Sequence, residues 1–254
     1  IMSKEVAKKE SMEVSTEVTQ WVTDVNVGKD LLLSKVLTMQ AMSDLVTADD
    51  AKIGEFRDSI THELLGDITN PTEFIPFHCR KMWDILESEG PNSQPEWVKS
   101  VPVVEDPTKP DYNDNWEWTV EENGKLQKRV RRLDFFCLLV SQLKAGTAMP
   151  VTLSFRSTSY KSGQILLNQM YVRNKMLGKS PASIIMSLSG EKVKNDKGTF
   201  IVTKVTPVRA SDKNYELAAF DWFKLITKSN VIIDDSDLKE ADTTPVGDQS
   251  AGRF

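Results

Sequence analysis

MPVTLSFRST (149–158) runs into SYKSGQILLNQMYVRNKMLGK (159–179), and then come ASIIMSLSGEKV (182–193), KNDKG (194–198) and GTFIVTKVTPV (198–208). The first piece is rich in β-formers and reads as a strand. In the second, Ile165, Leu166, Met170, Tyr171 and Leu177 fall on one side at helical spacing, while Gly178 and Pro181 supply a stop, so a helix is expected from about Ser157–Ser159 onward. The last pieces are two strand-like arms around a turn rich in Asn, Asp and Gly, the signature of a hairpin. Strand, helix and closing strand pair is the order of the second half of an OB-type barrel, an order that many other all-β domains with one helix share.

The preceding sequence supplies the remaining strands. NWEWTVEENGKLQKRVRRLDFFCLLV (115–140) reads as a hairpin turning at Asn123-Gly124, and TEFIPFHCRKMWDILES (72–88) as a strand. Gly54 to Ile60 and Glu63 to Leu65 add short β-prone pieces, with a turn expected at Gly66-Asp67. Residues 88–115 concentrate Pro, Asn, Asp and Glu and read as a long surface loop. DLLLSKVLTMQAMSDLV (30–46) is a short helix or a strand-helix element. DKNYELAAFDWFKLI (212–226) makes an amphipathic helix with Tyr215, Leu217, Phe220, Phe223 and Leu225 apolar. The expected fold class is mainly β with helices (α+β), an OB-fold-like barrel with helical and loop additions. Residues 1–28 form a flexible arm, 29–229 one domain, and 230–254 a disordered acidic tail.

Composition is that of an ordinary globular chain: 254 residues, 39% hydrophobic and 27% charged. No apolar run approaches a bilayer span, and the start, IMSKEVAKKESMEV, has no apolar secretory core. Cys79 and Cys137 stand alone, without the spacing of a zinc motif, and read as reduced thiols. Net charge is −5, but residues 1–124 carry −14, residues 125–228 carry +13 and the last 26 carry −4. Such segregation fits a local polyanion site on an otherwise acidic chain.

Catalytic signatures are missing from the sequence. His62 and His78 are the two histidines, and no HExxH, GxSxG or phosphate-binding glycine loop occurs. The Asp234, Asp235 and Asp237 group lies in the polar tail rather than on a rigid element. No enzyme activity, cofactor or metal is expected. The basic constellation is richer. Arg129, Arg131 and Arg132 follow Lys128 on one strand, where alternation sends Arg129 and Arg131 to one face and Lys128 and Arg132 to the other. Arg156, Tyr160 and Lys161 follow on the next segment, Arg173 and Lys175 extend the charge along the helix, and Lys192 and Lys194 lie on the second hairpin. Binders of single strands combine cations along the phosphates with aromatic rings on which bases stack. Trp83, Trp116, Trp118, Phe74, Phe77 and Tyr160 are the candidate rings, and Trp116 and Trp118, two apart, are the pair expected to share a face.

The pieces GEFRDSITHELLGD (54–67), TEFIPFHCRKMWDI (72–85), LDFFCLLV (133–140), MPVTLSFRSTSYKSGQILLNQMYVRNKM (149–176) and NDKGTFIVTKV (195–205) together resemble phage-encoded single-stranded DNA-binding proteins. The resemblance implies an OB-fold, protection of single-stranded DNA in replication or recombination without strong sequence preference, and a place in the host cytoplasm. It also implies an acidic tail ending on an aromatic residue, here Phe254, that docks replication or recombination proteins. DQSAGRF (248–254) departs from that pattern in carrying Arg253 beside a single acid. A homo-oligomer is compatible with it. The alternatives are a phage structural or assembly protein and a single-strand annealing recombinase.

The +13 segment generates one prediction. Affinity for a single-stranded oligonucleotide should fall steeply between about 50 and 200 mM salt, because counterion release drives most of it. Fluorescence anisotropy across that range checks this, and a flat profile contradicts it.

Overall fold

The computed structural model describes residues 31–88, 95–103, 119–120, 126–195, 198–228 and 232–233. The strands are β1 (Leu32–Leu33), β2 (Val36–Thr38), β3 (Glu55–Asp58), β4 (Leu64–Asp67), β5 (Thr72–Ser88), β6 (Glu96–Pro102), β7 (Thr119–Val120), β8 (Leu126–Leu139), β9 (Pro150–Arg156), β10 (Ile184–Asn195), β11 (Gly198–Ala210) and β12 (Ile232–Ile233). Among the described residues four α-helices join them: the single turn α1 (Asp44–Thr47), α2 (Val140–Ala145), α3 (Tyr160–Tyr171) and α4 (Lys213–Lys228). The chain is thus mostly β with helices, an α+β barrel-like fold.

The main sheet is antiparallel in the order β11-β10-β5-β8, and β9 pairs with the second half of β8. Strand β5 is long enough to serve two neighbours on its other side. Thr72–Phe74 pair with β10, and Met82–Glu87 pair with β6. Between these stretches the register slips at Pro76 to His78, since a proline has no N–H for the ladder. The open edges β9 and β11 are spanned by the segment Ser34 to Gln40 that carries β2. Thr152 donates its N–H to the Ser34 carbonyl at 2.8 Å on one side. On the other, the Gln40 amide donates to the Ile201 carbonyl at 3.0 Å and accepts the Ile201 N–H at 2.8 Å.

LDFFCLLV is apolar without alternation because β8 is buried on both faces. Phe135, Cys137 and Leu139 enter the barrel core with Phe74, Leu153, Phe155, Met186 and Leu188. Phe136 and Leu138 point the other way, into a second cluster with Ile75, Ile185 and Ala219 and Ile226 of α4. Helix α3 closes the barrel with Leu166 and Met170 in the first core.

Several expectations change. Gly66-Asp67 lies within β4, and the reversal comes after it, where the Asp67 carboxylate accepts the N–H groups of Thr69 at 2.6 Å and Asn70 at 2.7 Å. The expected loop over 88–115 contains strand β6. Ile232–Ile233, placed in the tail, pair in parallel with Leu32–Leu33. On α3 the buried residues are Ser162, Gly163, Leu166 and Met170, while Ile165, Tyr171 and Leu177 are exposed, so the apolar side inferred from spacing was rotated. On α4 the exposed residues are likewise Leu217, Phe220 and Leu225, with Ala219 and Ile226 inward. The turn at Asn123-Gly124, the N-terminal arm and residues 234–254 lie outside the described residues.

Gly163 is where α3 meets the barrel: a Cβ there would stand 2.7 Å from Phe155 Cβ and 3.2 Å from Leu133 Cδ1. Alanine normally favours a helix, but here it would push α3 off β9. Gly163→Ala should cost about 1–3 kcal/mol, read as a Tm lowered by roughly 2–4 °C per kcal/mol. A raised Tm would contradict this packing.

Candidate functional site

Alternation on β8 is as the sequence predicts. Arg129 and Arg131 pair across from Ile85 and Trp83, and Lys128 and Arg132 from Leu86 and Met82. The Arg131 guanidinium lies 5.3 Å from the centroid of the Trp83 ring, a cation–π contact across the strand pair. Trp83 is only 3% exposed, so its ring is a buried wall capped by Arg131 and offers no face to a base. That corrects its role. Arg129 and Arg131 themselves are half-buried.

Arg132 is corrected more sharply. It is 1% exposed and sits among two buried carboxylates. Its Nη1 lies 3.0 Å from Asp84 Oδ1 and its Nε 3.0 Å from Asp134 Oδ1, while Nη2 donates to Asp134 Oδ2 at 3.1 Å. Ser100 of β6 donates to Asp84 Oδ1 at 2.6 Å, and Ser154 of β9 to Asp134 Oδ1 at 2.7 Å. Arg156 and Arg80 stand at the rim, 3.9 Å from Asp84 and 3.8 Å from Asp134. Three guanidinium groups therefore face two carboxylates, joining β5, β6, β8 and β9. Burial holds the Asp84 carboxyl above its ordinary range, against the lowering pull of Arg132, Ser100 and Arg156. The sequence pointed to Arg132 and Arg156, but not to Asp84, Asp134 or Arg80. Their signal was present: charged residues inside strands otherwise apolar on both faces.

The remaining candidates spread over the surface. Tyr160 is half-buried against the barrel core, and its neighbour Lys161 is exposed. Arg173 donates to the Ser183 hydroxyl at 3.4 Å, and Lys175 is exposed. Lys192 and Lys194 are exposed on the part of β10 that runs past the end of β5. Trp116 and Trp118 lie outside the described residues. The structure joins Arg131 with Trp83 and Arg132 with Arg156, but the β8 group and the β10 lysines stand at opposite ends of β5. Thr72, where β10 joins, is separated from Trp83 by about 36 Å of extended strand.

Neither thiol has the environment of a nucleophile. Burial, aided by Asp134, pushes the Cys79 thiol up to about 12, and burial raises Cys137 as well. His78 is lowered by burial and by Arg80, and stacks at 5.5 Å on Phe136. Among the described residues no group of three or more His, Cys, Asp or Glu side chains is arranged to hold a metal, and no helix is long and apolar enough to cross a membrane.

Fold and surface define a mainly β, barrel-like α+β protein with a buried ion cluster and dispersed exposed lysines. The family described as Pam3 phage gp34-like protein matches residues 23–231, and the chain belongs to this phage family. No curated protein and no solved structure matches it.

The ion cluster yields a test. Arg132→Met leaves Asp84 and Asp134 without their central partner and should cost about 3–5 kcal/mol of stability at neutral pH. Without the guanidinium the Asp84 carboxyl rises further, so the variant takes up protons on mild acidification. The deficit relative to wild type is then largest at pH 7 and shrinks toward about pH 5. Urea unfolding at both pH values checks this, and a pH-independent deficit contradicts it.

Proposed function

We propose that this protein binds single-stranded DNA through phosphate contacts, without strong sequence preference, in phage replication or recombination, and that it is not an enzyme. The support begins with strand order. β5, β8 and β9 are consecutive in the barrel, α3 lies between β9 and β10, β10 returns to pair with β5, and β11 follows at the far edge. This supports an OB-type reading, with β5, β8, β9, β10 and β11 as barrel strands one to five. OB-folds bind oligonucleotides along strands two and three and the loops joining strands one to two and four to five.

One observation carries the proposal: four of the candidate cations lie on the two strand pairs that lead into those loops. Arg129 and Arg131 lie on the long β5–β8 arm, and Lys192 and Lys194 on the β10–β11 arm. Fold analogy alone says little about function, so the charges on the arms carry more weight than the barrel.

The β10–β11 lysines give the cleaner test because both are exposed. Lys192→Ala with Lys194→Ala should weaken binding to oligothymidine and to mixed-sequence oligonucleotides alike, since phosphates carry no base information. Losing two contacts should reduce the salt slope by about 1.4. Fluorescence anisotropy measures both. If the wild type fails to bind single strands at low salt, the proposal fails, and a role in phage assembly takes its place.

A further inference from the structure

Between Asp134 and Glu191 the chain contains no acidic residue, yet it carries Lys144, Arg156, Lys161, Arg173, Lys175 and Lys179. Most of that stretch is α3 and its surroundings. The helix begins after a 3-10 turn at Ser157–Ser159 and continues beyond Tyr171 as a π-helical turn, Val172–Met176. Its inner side packs on the barrel: Leu166 and Met170 lie in the core, and the Ser162 hydroxyl donates to the Thr203 carbonyl at 2.5 Å. Lys161, Ile165, Asn168, Tyr171, Lys175 and Met176 are exposed. Spaced three, four or, through the π turn, four to five residues apart, they make one outward stripe. Lys161 and Lys175 stand about 21 Å apart along it.

Two features of this stripe are not explained by stability. Tyr171 is 60% exposed and Met176 72%, although residues of that size on an amphipathic helix normally turn inward. Among the described residues no other ring stacks on Tyr171. Lys161 stands in the first turn, where the helix dipole is positive and a cation is opposed; that turn holds no acid. A ring open to solvent, with a cation before it and one after it on the helix and no acid in that stretch of the chain, is complementary to a polyanion whose bases offer π-faces.

We propose that the exposed face of α3 and its π-helical extension is a contact surface for single-stranded nucleic acid, with Tyr171 as a stacking ring and Lys161 and Lys175 as phosphate contacts. It rests on the single-strand-binding reading and adds to the two arms a third surface and an aromatic residue.

The test uses the full chain, labelled oligothymidine and anisotropy at two salt concentrations. Tyr171→Ala should weaken binding at least about fivefold with the salt slope unchanged, because stacking releases no counterions. Tyr171→Phe keeps the ring and should bind near the wild-type level. Lys161→Ala with Lys175→Ala should instead lower the salt slope by about 1.4. Tyr171 is 60% exposed and belongs to neither buried core cluster, so its variants should keep the wild-type Tm, which separates lost stacking from lost folding. Wild type that binds while Tyr171→Ala binds equally well overturns this surface and leaves the arms standing. Wild type that binds no oligonucleotide overturns the function itself. Binding to phosphatidylserine vesicles in place of oligonucleotide, lost in the lysine variant, assigns the stripe to an anionic membrane and overturns the proposal.

Discussion

Arg132 is held where no arginine sits without a partner. Its guanidinium lies between Asp84 and Asp134, with hydroxyls of Ser100 and Ser154 filling further positions on the carboxylates. The cluster draws on β5, β6, β8 and β9, so the separate pairings of the long arm hold only if these charges are brought together correctly. A buried ion cluster adds little net stability over apolar packing, since desolvation offsets the attraction. What it does strongly is penalise every register that leaves a charge alone. A slip of one residue on β8 would turn Arg132 to the opposite face and leave both carboxylates unmatched.

Above that cluster the fold is governed by strands buried on both sides. β5 and β8 each give alternate residues to the barrel core and to the layer under α4. The two layers therefore share a central pair, and the position of α4 depends on the same registers that close the barrel. Pro76 fits because the register slips there, letting β5 change partners from β10 to β6.

The charges illustrate how a binding surface and a structural core draw on the same residue types. Of the arginines grouped on β8, one is buried among carboxylates and another caps a buried indole. Among the candidate binding cations, the exposed ones are instead lysines, on α3, its π-helical extension and the β10 arm. An arginine presents a planar fork that satisfies two carboxylates at once, and this suits it to the buried position. A lysine is a strongly hydrated point charge, which suits the exposed positions on α3 and β10, although Lys35 is buried at 1% exposure.

Strand and helix periodicity were legible in the residues: the hairpin β10–β11, the long strands β5 and β8, helices α3 and α4, and the alternation that separates Arg131 from Arg132. These depend on local backbone preference and on spacing of two or of three to four residues, which a single chain displays. Strand β6 was hidden in a proline-rich stretch, because its pairing partner is supplied by β5 and by Asp84 rather than by its own composition. The rotation of α3 was hidden too: Gly163 has no side chain to signal burial, yet the close approach of Phe155 makes its side the inner one. Sequence by itself determined the long strands and helices and the sign of their charge. Which cations are buried, and which face of a helix meets water, was decided only by the tertiary structure, because both depend on what packs against a residue from elsewhere in the chain.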